Sequence, residues 1–550
     1  MSARLVWVVA VLAVALVAGP VAAAGPGSDT STTNGSATAG PHIESVYPNP
    51  LADEDAGEYV VLDFPRPTNL STWTLTDGES DVSLSNGTVS GRVAVTAEPE
   101  AARNATDAPL LALDDSVSLA NSGDAVALVH DGHEVDNTTY EDAPDAEVWN
   151  RSADGWGWEH LGATDFAAAR TDTTSARVFV LPDDPEVAVE TIEAADQRVL
   201  LAGYTFSSER VARALKRAKE RGVRVRVLVD DAPVGGMSER QAAALNELVA
   251  AGIPVDIIGG DWARYDYHHA KYAVVDHRAL VTTENWKPSG VGGHSNRGWG
   301  AVVGGEAAEA LAAVFRADDG WRDTVPWCSY RANHTFEPDD VANETYSSNF
   351  EPKTVDVDGV QVLVAPDNAE RALIARIDNA TRSVDVIQPA IGSRHQSFLE
   401  AAIRAARRGV RVRVLLSNAW YSEDENEAMA EWINARGETE DLPLEAKVVD
   451  PESTFEDIHA KGVVIDNDTA VVGSMNWNNN SANENREVTV VLDGEAAGAY
   501  YGRVFEADWT EDGGSGLDLG FDSPLPIGVL VAVVGVLLLG IVVARRIEFE

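Results

Sequence analysis

A chain of 550 residues is too long for one hydrophobic core and predicts about two to four domains. Its 88 acidic residues against 42 basic ones give a formal charge of -46, and only seven of the basic residues are lysines. The acidity is spread along the chain among tryptophans and apolar runs. This excludes a disordered acidic tail, counts against a simple nucleic-acid binder, and points to a folded protein with the strongly hydrated surface expected of an extreme halophile.

At the start, Arg4 precedes the apolar run Leu5 to Ala18 and then Ala22-Ala23-Ala24, the pattern of a secretory signal peptide over residues 1–24. Residues 25–41, mostly small and polar, read as a linker. From His42 to about Tyr140, short apolar runs such as Glu58-Tyr59-Val60-Val61-Leu62 and Ala125-Val126-Ala127-Leu128-Val129 alternate with turn signals at Pro48-Asn49-Pro50, Thr76-Asp77-Gly78 and Asn121-Ser122-Gly123-Asp124. That rhythm predicts a β-sandwich over residues 42–140. Together with Trp73-Thr74-Leu75-Thr76-Asp77, these segments resemble the lamin-tail family of immunoglobulin-like domains. The resemblance implies an accessory module that binds or spaces. Trp149, Trp156 and Trp158 follow in a mixed stretch and read as packing between domains.

From Ala176 the rhythm becomes α/β and repeats itself. Val178-Phe179-Val180-Leu181-Pro182-Asp183-Asp184 matches Val362-Leu363-Val364-Ala365-Pro366-Asp367-Asn368. A helix ending at Gly222 feeds a valine-rich strand, and so does a helix ending at Gly409. Two duplicated α/β halves, 176–321 and 353–510, are expected to pack as one module. The polar connector 322–352 carries Cys328, the only cysteine, so no intramolecular disulfide can form and a buried, inert thiol is expected. Beyond a glycine-rich stalk at 511–524, the segment 525–544 contains an unbroken apolar run before Arg545-Arg546 and predicts a C-terminal transmembrane helix. This would make a single-pass cell-membrane protein with its folded part outside and a short cytoplasmic tail. Eleven Asn-x-Ser/Thr sequons suit that placement.

The chemistry lies in a motif that both halves carry. In the second half, His459-x-Lys461 is followed by Asp466, then Ser474 and Asn476, then Glu487; in the first, His269-x-Lys271 is followed by Asp276 and Asn285. Side chains two apart on a strand share a face, so each half delivers an imidazole and an ammonium together, and a turn returns the asparagine beside them. Two such sets would form a pocket for a phosphoryl group, with lysines and asparagines on its oxygens and the imidazoles dividing acid and base roles.

Two copies of His-x-Lys-x-x-x-x-Asp, the second followed by Gly473-Ser474-x-Asn476 and Asn485-x-Glu487, resemble the phospholipase D superfamily over about residues 176 to 510. The resemblance implies phosphodiester hydrolysis or exchange through a covalent phosphohistidine, without metal or cofactor. It makes His269, Lys271, Asn285, His459, Lys461 and Asn476 the catalytic set, with His269 as nucleophile by family usage. Asp276 and Asp466, on the far side of each strand end, read as structural groups or as support for that set from behind, which Ser474 and Glu487 would also supply. The first half departs from the pattern: Thr282-Thr283 stands where Gly-Ser is usual and Gly298 occupies the position of Glu487, so the carboxylate that would orient one histidine is expected to be missing. Phospholipid headgroups are the expected substrate, with an exported endonuclease or a cardiolipin synthase-like phosphatidyl transferase as alternatives. No obligatory protein partner is evident. His268, His277 and His294 are too scattered for a zinc site, and Trp286 and Trp477, each next to a motif asparagine, read as packing beneath the site.

Overall fold

Period-two apolar runs can bury only one face, so the N-terminal strands stack into two sheets around a shared core. The computed structural model describes residues 40–510 apart from 51–55, 85–86, 116–117, 153–154, 165, 261–262, 340, 450 and 452. A six-stranded sheet centred on His42–Tyr47 and Tyr59–Asn69 faces a four-stranded sheet built on Trp73–Thr76 and Gly123–His130. Val46, Leu62, Phe64, Leu75 and Leu128 lie in the core they share. The larger sheet continues through Glu147–Ser152 and Gly155–His160. There Trp149 stacks on Trp156 with ring centres 6.1 Å apart, and Trp158 meets Tyr140 edge-on at 5.6 Å. These tryptophans therefore complete the sandwich and do not form the expected packing between domains.

Each following half builds one sheet, and the strand order is the same in both. In the first half, Val255–Ile258, Arg224–Asp230 and Arg198–Gly203 run parallel, followed by Tyr272–Val275, Arg278–Thr282, Gly298–Gly304 and Ser175–Leu181 in antiparallel pairing. In the second, the same places are taken by Leu444–Val449, Arg411–Ser417, Ser383–Gln388, Gly462–Ile465, Thr469–Gly473, Glu487–Asp493 and Gly359–Ala365. Helix ends follow the local chemistry: Ser208 caps Glu209–Glu220 by accepting from the Val211 N–H, and Gly222 leaves the helix at φ +93°, where a Cβ would be strained. The halves also exchange edge strands. Arg170–Thr171, ahead of the first half, pairs with the second half's sheet, while Lys353–Asp356 pairs with the first half's sheet.

The two sheets bury one continuous core, in which Trp299 of the first half stacks on Tyr501 of the second with ring centres 4.6 Å apart. Gly462 is required at this seam, since a Cβ there would lie 2.3 Å from the Trp299 ring.

Two expectations are corrected. Among the described residues no helix is long and apolar enough to cross a membrane, so the fold class ending in a transmembrane helix, the membrane attachment through it and the single-pass location are not upheld. Segments 1–24 and 525–544, on which the signal peptide and that helix were placed, lie outside the described residues. Cys328 is exposed on the short helix Trp327–Tyr330 and is not the buried thiol expected.

Candidate active site

Both motifs sit just ahead of a strand. His269 and Lys271 precede Tyr272–Val275, and His459 and Lys461 precede Gly462–Ile465, on extended lead-ins held by the opposite half. The His269 N–H donates to the Arg486 carbonyl at 3.0 Å, and the His459 N–H to the Arg297 carbonyl at 3.0 Å. Each lysine ammonium then donates to the carbonyl of its own motif histidine, both at 2.6 Å. Lys271 and Lys461 are both buried.

The carboxylates cross between halves. Glu487 of the second half contacts His269 Nδ1 of the first at 2.9 and 3.0 Å. Reciprocally, Glu284 of the first half contacts His459 Nδ1 of the second at 3.1 Å. The expected missing carboxylate is thus present, on a different strand end.

Register explains the exchange. Thr283 holds the place of Ser474: its hydroxyl accepts from the Trp299 N–H at 3.0 Å, as the Ser474 hydroxyl accepts from the Val488 N–H at 3.0 Å. Counting on by one, Glu284 stands opposite Met475 in the other half, and Asn285 opposite Asn476. A Cβ on Gly298 would lie 2.3 Å from the Glu284 Cγ, so the missing side chain at 298 is the space that Glu284 fills. Asparagines steady both carboxylates: Asn296 donates to Glu284 at 2.9 Å and Asn485 to Glu487 at 3.3 Å.

Behind the histidines lie two buried arginines, also matched. Arg297 pairs with Asp183 of its own half at 2.6 Å and Asp508 of the other at 3.0 Å. Arg486 pairs with Asp367 of its own half at 3.7 Å and Asp318 of the other at 2.7 Å. Asp318 also takes His268, 3.2 Å away, which explains that residue's place off the motif face.

Burial sets the electrostatics. It pushes both imidazoles down to about 4, with Glu487 and Glu284 opposing the effect and both motif lysines, each half's own first, adding to it. Burial likewise pushes Lys461 down to about 8 and Lys271 well below its ordinary value. Burial raises Glu284 and Glu487, but His459 and His269 respectively outweigh it and hold both carboxylates below their usual range. With Nδ1 on a carboxylate, each ring leaves Nε2 for the pocket.

Asn285 is buried with its amide oxygen unpartnered among the described residues, and Asn476 lines a cavity of about 580 Å³ beside His269. Tyr204 lies edge-on to His269 at 4.8 Å and beneath the Lys271 ammonium at 5.1 Å. His395 stands at the cavity's rim. Trp286 and Trp477 are buried, the first donating to the Ala202 carbonyl at 2.9 Å and the second tilted against Phe398.

Asp276 and Asp466 are not brought to the pocket. Each sits at positive φ and accepts backbone N–H groups at the start of a neighbouring strand, Asp276 from Asp196, Gln197 and Arg198, and Asp466 from Thr381, Arg382 and Ser383. They clamp turns.

The two motif histidines, each bonded to a carboxylate of the opposite half, lie in segments that match a known family. The chain belongs to the phospholipase D superfamily. Residues 188–318 and 373–509 match the family described as "Cardiolipin synthase, PLD-like domain". Among curated proteins the chain is similar to probable cardiolipin synthase YwiE of Bacillus subtilis (strain 168), at 26% identity over 375 residues that cover 63% of this chain and 68% of that one. Among solved structures, a phosphatidylserine synthase of Haemophilus influenzae Rd KW20 matches 62% of this chain and 88% of its own at 11% identity and a TM-score of 0.48. The phospholipase D family member Nuc of Salmonella typhimurium matches 28% of this chain and 97% of its own at 21% identity and a TM-score of 0.25.

Glu284, Asn296, Tyr204 and the two arginine clamps escaped the sequence reading. A signal was present for the first: glutamate at 284 and glycine at 298 in one half stand against methionine at 475 and glutamate at 487 in the other.

Proposed function

We propose that the chain cleaves the phosphodiester of a phospholipid headgroup through a covalent phosphohistidine and passes the phosphatidyl group to an alcohol or to water. The cross-bonded pair of His-Lys-Asn sets carries this reading. Glu487 accepts the Nδ1 proton of His269, which leaves the Nε2 lone pair to attack phosphorus. The P–O bond to the headgroup breaks as the N–P bond forms, and His459 protonates the departing oxygen. Lys271, Lys461, Asn285 and Asn476 stabilise the charge on the phosphoryl oxygens. In the second step His459 takes a proton from the incoming hydroxyl, whose oxygen displaces His269 from phosphorus.

The imidazoles are pushed down to about 4 in a site crowded with buried lysines. A bound phosphodiester supplies the anion that lets His459 carry its proton. Lipid is favoured over a nucleic-acid strand because, among the described residues, the cavity beside His269 is lined by tyrosine, serine and asparagine and offers no cation beyond the motif lysines, whereas a polyanion needs a cationic track. The cardiolipin synthase relatives support an alcohol as acceptor.

The test is headgroup release and phosphatidyl transfer to added glycerol in molar KCl with chelator present. His459→Ala is expected to abolish both, and wild type quenched in alkaline denaturant to retain lipid phosphorus on His269. Full turnover by His459→Ala, or release from DNA but not from phospholipid, would sink the reading.

A further inference from the structure

The most exposed large apolar groups stand on two loops at matched places in the halves. Among the described residues the three most exposed large hydrophobic side chains are Trp420 at 88%, Val234 at 81% and Tyr421 at 58%. They occupy matched loops, each following the middle strand of its half's three parallel strands. Asp230, ending the first of these strands, accepts the His268 N–H, and Ser417, ending the second, accepts the Ile458 N–H, so each strand end before these loops is tied to the residue preceding a motif histidine. The Val234 N–H donates to the Tyr204 hydroxyl at 2.5 Å, and the Tyr204 ring lies against His269. Trp420 and Tyr421 meet edge-on at 5.7 Å. Partial burial, then the Asp457 and Glu284 carboxylates, push the Tyr421 phenol up from its ordinary value.

Exposed apolar side chains scattered singly need no explanation, but these three stand on two matched loops, one of which lines the cavity through Val234. We propose that Trp420, Tyr421 and Val234 are the surface by which this protein settles on a phospholipid bilayer, holding the pocket against the headgroups. Tryptophan and tyrosine favour the interface between headgroup and acyl chain, where an apolar ring and a polar edge are both satisfied. The neighbouring helix opens with Glu423, Asp424 and Glu425, which repel a nucleic-acid strand and suit the ammonium of a zwitterionic headgroup. The inference rests on the phospholipid reading of the site and adds the surface that presents the substrate.

The experiment uses the full chain in molar KCl with phosphatidylcholine vesicles, with and without phosphatidylglycerol, some carrying brominated acyl chains. Brominated lipid should quench tryptophan fluorescence in wild type and not in Trp420→Ser, a difference that other points of membrane attachment would leave untouched. Trp420→Ser/Val234→Ser should cleave vesicle lipid about tenfold more slowly, the equivalent of about 1.4 kcal/mol of surface affinity, while cleaving monomeric short-chain phosphatidylcholine at the wild-type rate. Trp420→Phe should retain vesicle cleavage. Equal quenching in wild type and Trp420→Ser overturns the proposed surface, as does a loss of single-stranded oligonucleotide binding in place of vesicle binding. Quenching without cleavage of any phospholipid would instead refute the substrate reading and leave the surface standing.

Discussion

The two halves reach one geometry from unequal parts. In the second, the carboxylate stands on the strand Glu487–Asp493 and the residue before Asn476 is methionine; in the first, the strand position is Gly298 and the carboxylate has moved to Glu284, one residue before Asn285. Both carboxylates still reach the Nδ1 of the opposite half's histidine. A duplicated site preserves the place where charge is needed, and any backbone position with a line to that place can supply it. The arginine clamps behind the site remain symmetric, because each ties the turn after its own half's strand Ser175–Leu181 or Gly359–Ala365 to a helix of the other half.

Breaking a clamp should have the largest effect. Arg486→Met leaves Asp318 and His268 buried without their cation and should cost about 3–5 kcal/mol. Arg297→Met should cost as much, and denaturant unfolding of the two variants side by side measures whether the clamps are equivalent. Acid is expected to come next. His269 and His459 are held down to about 4 from the ordinary 6.5. The unfolded chain therefore takes up protons that the folded one refuses, and stability should fall by a few kcal/mol as the pH drops from about 6.5 to about 4. Replacing either histidine by glutamine should remove about half of that loss in a thermal-melt series, and unequal shares would show that the halves differ electrostatically.

The carboxylate exchange can be reversed. Glu284→Met should reduce turnover by about 10- to 100-fold, since His459 loses the group that orients it. Gly298→Glu alone should be worse, because its Cβ would lie 2.3 Å from the Glu284 Cγ. The double variant rebuilds the second half's arrangement in the first, and should recover turnover to within about tenfold of wild type if position, not residue number, is what the site requires. The smallest effect belongs to the turn clamps: Asp276→Asn and Asp466→Asn should each lose about 1–2 kcal/mol of stability with kcat unchanged. A fall in kcat would place these aspartates in the chemistry after all.

The motif pairs, the duplication and the strand-and-helix rhythm of the halves were legible in the sequence because they are local. Alternating valines, glycine helix stops and His-x-Lys spacing each act within a few residues. Even the departures at 282, 283 and 298 were visible, though read one at a time they signified a loss. What the linear pattern could not carry is which half completes which site. Glu487 serves His269 across 218 residues and Glu284 serves His459 across 175, and both pairings exist only because the sheets bury a common seam. The tertiary structure likewise moved Trp149, Trp156 and Trp158 into the sandwich and left Trp420 and Val234 exposed. Sequence determined which chemical groups each half possesses, through spacings that backbone geometry converts directly into faces. Packing decided which groups meet, since burial is a property of the assembled surfaces and not of any one segment.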